Sequence, residues 1–554
     1  MDGSPDTATA DIEGYVPFPD DRIRRYVDEG HWRGLTFHAV VDRVADESPS
    51  RRAVIGPTRE LSYGELAANS RRLAGAFRDE LGLRTDDLVT LQLPNCVEFA
   101  EAFLACSRLG VVPALVLPRH REQELRHIVD LTESRAVVTV GDRYDLGFDY
   151  VDLVDGIVDD YDHLDARIAI TADESEPPTG WHDLAAMRER GDETVGTDVN
   201  PCNPGLFMLS GGTSGLPKAI PRTHNDYVYL WEHIATEMGV DADWTLVAGL
   251  PVPHSFAFGY VFGAALWAGA TVAVEPRLKP DPLIGLVDRV DGDVITLIPK
   301  QLIDFLEAGD DATLSTLRVV CSGGQKVPPD LVRRVADRWG AGFCNVFGMG
   351  EGAQVISRPD DPLEVQATTV GRPIGPGDEL RILDEEGQPV PQGDLGELVV
   401  RGPGVFTGYL RNDAANEKSF DDEGWFYTGD VFSRRADGNH EVWGRLDDTI
   451  NRAGETVYAP AIEDVLVEHP KITKAAVVGI PDETLGERIG AVVELRAGVD
   501  SLALSEVTAF FEDRGLAVFR RPERLLVVET LPETDVGKID RNAAEGLFER
   551  TTAE

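Results

Sequence analysis

The chain has 554 residues, long enough for more than one domain and a large apolar core. Asp and Glu number 97 against 53 Lys and Arg, a formal net charge of −44. The acids are scattered rather than gathered in a tail, so they read as a solvated surface and argue against nucleic acid or an anionic membrane as partner. Arginine greatly outnumbers lysine, and the acidic excess suggests a salt-rich cytoplasm, as in a halophile. Cys96, Cys106, Cys202, Cys321 and Cys344 have no metal-ligand spacing, and an odd, sparse set fits a reducing compartment. Residues 1–14 are acidic and lack the basic and apolar regions of a signal peptide, so a cytoplasmic protein is expected.

In chain order, a lead-in over residues 15–50 includes a predicted helix, Arg22–Trp32. Ser62 and Glu65 are spaced as a capping box that starts the next helix. Val89–Leu93, Val111–Leu117 and Ala136–Val140 read as buried strands, with a helix over Phe99–Leu109. Gly141–Asn203 is acidic and punctuated by Pro and Gly, and reads as including a surface loop. Leu206–Leu209 is a strand end, Tyr227–Met238 a helix and Leu246–Leu250 a strand. Phe256–Val274 carries no charge and has the length of a membrane span. Gly259, Gly263 and Gly269 interrupt it and basic anchors are missing, so a buried helix turning into the strand Thr271–Val274 is expected. Val294–Ile298 and Arg318–Cys321 are further strands. Short apolar strands alternating with helices imply an α/β fold with parallel sheets covered on both faces. From Glu397 the pattern becomes antiparallel, and the last hundred residues read as a small α+β domain.

The chemistry centres on Ser210 to Tyr227. Gly211, Gly212 and Gly215 let the backbone curl and turn N–H groups toward one point, which suits an anion. Ser210, Thr213 and Ser214 add hydroxyls, and Lys218 adds a mobile positive charge. An ordinary glycine turn is the plain alternative. A Walker A loop is excluded, because Pro217 precedes Lys218 and Ala219 follows it. Downstream, Ser322-Gly323-Gly324-Gln325 follows a strand and allows a flat ligand near the backbone. Phe347-Gly348 can stack on a base, and Glu351 can hold Mg2+ through oxygen. Taken singly, Phe347 could be core and Glu351 a surface charge. A satisfied core histidine is the plain alternative for His254, but its place at a strand's carboxyl end, where α/β crevices open, favours a site. Asp430 reads as a turn residue able to accept two ribose hydroxyls, or as an Asx turn. Lys538 follows Gly537 near the end of a chain that uses lysine rarely.

Ser210–Lys218 resembles the phosphate loop of the acyl-adenylate-forming superfamily. The extension Ile220-Pro221-Arg222-Thr223-His224-Asn225-Asp226-Tyr227 resembles its aryl-acid branch, the 2,3-dihydroxybenzoate–AMP ligase type. Tyr15-Val-Pro-Phe-Pro and Pro118-Arg119-His120-Arg121-Glu122 match the same branch. The resemblance implies a large N-terminal domain of stacked α/β sheets plus a β-rich subdomain, residues 1–446. A small α+β domain, 447–554, follows on a hinge at Asp447 and carries the catalytic lysine, Lys538.

The implied reaction uses ATP and Mg2+. Lys538 bridges the acid's carboxylate and the α-phosphate, and Glu351 with Thr213 holds the metal. Ser210, Gly211, Gly212, Ser214, Gly215 and Lys218 hold phosphates. Gly323, Gly324, Gln325, Phe347, Gly348, Asp430 and Arg445 hold the adenosine. His254, Ser255, Tyr260, Gly324, Gly348 and Gln354 line the acid pocket, with His254 beside the bound acid. The acceptor is a pantetheine thiol, reached through a face near Gly454, on a separate carrier protein, since no carrier domain follows Lys538. An aryl- or acyl-CoA ligase shares every catalytic motif, and a silent adenylate-binding protein is the reading from another class. The chain departs from the 2,3-dihydroxybenzoate pattern at Ser255, Tyr260, Ala353 and Gln354, which leaves salicylate, another hydroxybenzoate or a heteroaromatic acid open.

Overall fold

The nine- and seven-stranded sheets are built mainly from parallel strands, and hydrophobic runs bounded by capped helices explain why. A computed structural model describes every residue except 1–6, 8–9, 174, 194–197, 211–215, 309–313, 453–454, 483, 533–538 and 553–554. The chain divides into two compact units, Met1–Leu380 with Val400–Phe426, and Arg381–Val399 with Tyr427–Glu554. By compactness, then, the β-rich stretches 381–399 and 427–446 go with the second unit.

In the first unit one sheet runs in the order Arg372–Pro373, Gln354–Ile356, Gly342–Gly348, Val319–Gly323, Val294–Leu297, Thr245–Val247, Thr271–Ala273, Arg52–Ile55 and Glu60–Ser62. The central strands are parallel, with Val319 opposite Gly342 and Gly323 opposite Val346. The other sheet runs His182–Asp183, Ala166–Ile170, Ala136–Val140, Leu88–Gln92, Val112–Leu115, Pro204–Leu209 and Ala219–Thr223. Its last pair is antiparallel, so the phosphate-loop sequence is the connection of a hairpin.

Local signals set the helix starts. Ser62 accepts from Glu65 N while Glu65 reaches back to Ser62 N, as the spacing predicts. Thr223 and Asp226 form a second capping box, opening the helix His224–Met238 three residues before the expected start. A cluster of Phe37, Phe103, Trp231, Phe258 and Phe262 rings packs the helices of this unit together. The Phe256–Val274 segment is a short helix, a π-turn over Phe258–Gly263, the helix Ala264–Ala268 and the strand Thr271–Ala273. Among the described residues no helix is long and apolar enough to cross a membrane.

One expectation needs correcting. The first helix is Asp20–Asp28, not Arg22–Trp32; Gly30 takes a φ of 76° and Trp32 turns its indole N–H to Pro403 O. Residues 141–203 include irregular surface stretches, and also hold the helices Tyr150–Val158 and Leu184–Arg190 and two strands. Their apolar positions are few because one face alone is buried, with Val154, Ile157 and Trp181 packed on Leu125, Val129 and Val137.

In the second unit Ile472–Asp482 and Gly486–Leu495 form a long antiparallel pair, and Arg524–Val528 joins the latter in parallel. Helices Ala459–Val467 and Leu504–Asp513 cover a core of Ile450, Ile462, Val477, Ala491 and Val507. Lys538 lies outside the described residues.

Candidate functional site

The hairpin connection is closed at its base by two bonds. Ser210 N donates to Lys218 O, and Lys218 N donates to Ser210 Oγ, both at 2.9 Å. His127 Nε2 lies 3.0 Å from Pro217 O, which anchors the returning end of the loop. Gly211, Gly212, Thr213, Ser214 and Gly215 lie outside the described residues. Lys218 Nζ sits 4.0 Å above the centre of the Tyr409 ring. Tyr409 Oη in turn donates to Glu351 Oε1 at 2.8 Å. The predicted phosphate lysine and the predicted metal carboxylate therefore meet on one tyrosine.

Arg222 explains how. It is fully buried beside Asp226, with an ion pair at 3.0 Å. Its guanidinium also donates to Gly350 O at 2.6 Å and to Gly404 O at 2.7 Å. One side chain from the strand Ala219–Thr223 thus fixes the turn before Glu351 and the segment leading to Tyr409. Burial pushes the Asp226 carboxyl up, and Arg222 pulls it back. Gly352 can accept no side chain, because φ is 114° and a Cβ would come within 1.8 Å of Gly404 O.

Gly323, Gly324, Phe347 and Gly348 stand at the carboxyl ends of two adjacent parallel strands, where α/β ligand sites form. Gly323 ends its strand, and a Cβ there would lie 2.2 Å from Val346 O. Gly324 follows with a φ of 76°, then Gln325. Phe347 and Gly348 end the adjacent strand Gly342–Gly348. His254 is exposed and caps the short helix Ser255–Ala257, its Nδ1 accepting from Phe256 N at 3.2 Å. Tyr260 lies in the π-turn, a distortion frequent at functional sites. Its hydroxyl donates to Gln354 Oε1 at 3.0 Å, while Gln354 Nε2 donates to Met349 O at 3.3 Å. The Gln354 amide lies close over Gly348, where a Cβ would meet its Oε1 at 2.2 Å. Burial pushes the Tyr260 phenol up, so it stays a neutral donor.

Asn95 was missed by sequence reasoning. It donates to Ala248 O and Leu250 O and accepts from Val252 N, at 3.2, 2.8 and 2.6 Å. All its bonds fix the stretch that delivers His254. Its only signal is a polar residue between the strand Leu88–Gln92 and the helix Val97–Leu109.

In the second unit Asp430 does not sit on a turn. It lies within the strand Phe426–Arg434, opposite Arg445. Gly429, at a φ of 71°, supplies the kink that suggested a turn. Arg445 Nη1 donates to Asp430 Oδ2 at 3.2 Å, and Gly429 N donates to Glu397 Oε1 at 2.9 Å. Glu397, also missed, holds the kink in place; burial pushes its carboxyl up. Asp447 sits in a single 3₁₀ turn, Leu446–Asp448, between the strands His440–Arg445 and Thr449–Arg452. Among the described residues no three His, Cys, Asp or Glu gather as a metal cluster.

A family model described as AMP-binding enzyme matches residues 41–410, and one described as AMP-binding enzyme C-terminal domain matches 461–538. The salicyl-AMP ligase / salicyl-S-ArCP synthetase of Mycobacterium tuberculosis is 38% identical over 551 residues, covering 98% of this chain and 96% of that protein. The 2,3-dihydroxybenzoate-AMP ligase of Bacillus subtilis is 35% identical over 547 residues, covering 98% and 99%. Among solved structures, apo MbtA of Mycobacterium smegmatis matches with a TM-score of 0.73 at 35% identity, covering 96% of this chain and 98% of that one. This chain therefore belongs to the AMP-binding enzyme family, and it is an adenylating ligase.

Proposed function

We propose that the enzyme activates a compact aromatic carboxylic acid with ATP and passes the acyl group to the pantetheine thiol of a separate carrier protein. One observation carries the activation reading: Lys218 and Glu351 converge on Tyr409 beside a loop of phosphate-binding composition. The aryl-acid reading is supported by full-length relatives named for salicyl and 2,3-dihydroxybenzoate adenylates. Carrier transfer is supported by the name of the first of these.

In the first half-reaction a carboxylate oxygen of the acid attacks the α-phosphorus of ATP, and pyrophosphate leaves. Two anions must meet, so positioning and charge neutralisation dominate. Lys538 bridges the carboxylate and the α-phosphate. Ser210, Gly211, Gly212, Thr213, Ser214, Gly215 and Lys218 receive the departing phosphates. Gly323, Gly324, Gln325, Phe347 and Gly348 accept the base, and Asp430 with Arg445 the ribose. The donors at Glu351 and Thr213 are all oxygen, which fits Mg2+, an ion that takes one or two carboxylates plus phosphates. When bound it offsets phosphate charge. In the second half-reaction the thiol sulfur attacks the acyl carbon, AMP departs, and the thiol proton goes to solvent. Residues 447–554 turn about Asp447 between the two steps.

His254, Ser255, Tyr260, Gly324, Gly348 and Gln354 line the acid pocket in this reading. The Tyr260–Gln354–Met349 chain is neutral and bonded within itself, so that wall offers a charged substrate group no partner of opposite charge. A neutral aromatic ring suits it better than an amino acid's ammonium. The net charge of −44 supports a salt-rich cytoplasm as the working medium.

Acid-dependent ATP–pyrophosphate exchange in molar KCl tests the reading, with benzoates, heteroaromatic acids, amino acids and fatty acids as substrates. Exchange with salicylate or 2,3-dihydroxybenzoate, lost in Lys538→Ala, is expected. A folded sample that exchanges with no acid returns the silent adenylate-binding alternative. Faster transfer to free CoA than to a carrier protein makes the enzyme a CoA ligase. Full structure retained after dilution to low salt removes the halophilic assignment.

A further inference from the structure

The segment Gly402–Leu410 is tied to both halves of the phosphate site. Gly404 O accepts from Arg222, and Phe406 N donates to Glu351 O at 2.9 Å. Leu410 N donates to Ala219 O at 3.0 Å, one residue after Lys218. Tyr409 is held at both backbone ends by Asn416: its N–H donates to Asn416 Oδ1 at 2.7 Å, and its carbonyl accepts from Asn416 Nδ2 at 3.0 Å. The ring packs edge-on against Phe406, with centroids 4.9 Å apart. Tyr409 is 3% exposed, so its ring has little room to swing.

Two opposite charges meet this one side chain at different places. Lys218 lies over the ring face, and Glu351 accepts a hydrogen bond from the hydroxyl at the ring edge. A flexible lysine and a carboxylate left to themselves pair directly, and each then neutralises the other. The ring satisfies both without joining them. Its face attracts the ammonium through the aromatic quadrupole, and its hydroxyl makes a charge-assisted bond to the carboxylate.

We propose that Tyr409 is a positioning residue of the adenylation site, a spacer that keeps Lys218 available to phosphate and Glu351 available to the metal by preventing their direct pairing. The proposal rests on the ATP-dependent reading above. Its hydroxyl serves the metal side and its ring serves the phosphate side, so the two roles separate by substitution.

The experiment is calorimetric binding of ATP to the full-length protein, with Mg2+ and with EDTA, for wild type, Tyr409→Phe and Tyr409→Leu. Tyr409→Phe keeps the ring under Lys218 and loses the hydroxyl on Glu351. It is expected to weaken MgATP roughly tenfold, as loss of a hydrogen bond to a charged group does, while metal-free ATP binds as in wild type. Tyr409→Leu loses the ring as well and weakens both forms, metal-free ATP by about threefold or more, the scale of a cation–π contact. Tyr409→Phe that weakens neither form, or both equally, overturns the proposal. Tyr409→Phe removes one oxygen from a packed ring, so this comparison decides even where Tyr409→Leu does not fold. Failure of the functional reading looks different: wild type then binds MgATP but exchanges pyrophosphate with no acid, and the Tyr409→Phe comparison still decides the spacer.

Discussion

Two Arg–Asp pairs, one in each unit, carry the same charges in opposite settings. Arg222 and Asp226 are both fully buried, and the guanidinium makes two further bonds to backbone carbonyls. Arg445 is half exposed and makes one bond of 3.2 Å to Asp430. A buried charge is tolerated only when paired and hydrogen-bonded. The first pair therefore behaves as architecture, locking the turn before Glu351. The second joins a half-exposed arginine to a nearly buried aspartate, so water reaches its cation alone. Both lie in motif blocks that stand out in the sequence, and the burial of the arginine is what separates them.

The largest effect expected from breaking this contrast is at Arg222. Arg222→Met leaves Asp226 buried without its cation and should cost about 3–5 kcal/mol of stability, measured by denaturant unfolding in molar KCl. A loss under ~1 kcal/mol would show that the pair is not architectural. Asp430→Asn should do the reverse. With the arginine half in water, unfolding free energy should change less than at Arg222, by about 1–2 kcal/mol, while ATP binding weakens roughly tenfold. Unchanged ATP affinity would remove Asp430 from the nucleotide site.

Asp378 sharpens the comparison, because it is a partly buried carboxylate with no ion-pair partner among the described residues. It accepts from Tyr229 Oη at 3.1 Å and from Gly375 N at 3.0 Å, and burial raises its pKa from 3.8 to about 7. The folded state therefore holds this proton more tightly than the unfolded chain. The stabilisation is full below about pH 4 and is lost as pH rises through about 7. Asp378→Asn, which carries no titrating group, should gain on wild type as pH rises from 5 to 8, by about 2–3 kcal/mol. Parallel melting-temperature profiles for the two proteins across that range would contradict this.

Much of the fold was legible. Apolar runs at Ala136–Val140 and Val294–Leu297 mark buried parallel strands because both faces are covered. Ser62-x-x-Glu65 announces a helix start through local bonds alone. The stretch 141–203 was opaque, since a helix at the outside of a sheet buries one narrow face and its other positions read as loop. The site was legible in part. Glycines at 323 and 324 mark close backbone approach and a positive φ, both local demands. Asp430 misled, because the kink belongs to Gly429 while Asp430 itself is extended and strand-paired.

The sequence by itself determined the reaction class, since glycine spacing, hydroxyls and charges in a fixed order are properties of contiguous chain. It also determined the acidic character of the surface, which is a sum over composition. Only the tertiary structure decided that Arg222 reaches Gly350 and Gly404, that Asn95 fixes the approach to His254, and that Tyr409 stands between Lys218 and Glu351. These partners lie from 58 to 191 residues apart in the chain. No local pattern encodes such pairs; they meet because burying the strands that carry them leaves their polar groups no partners but each other.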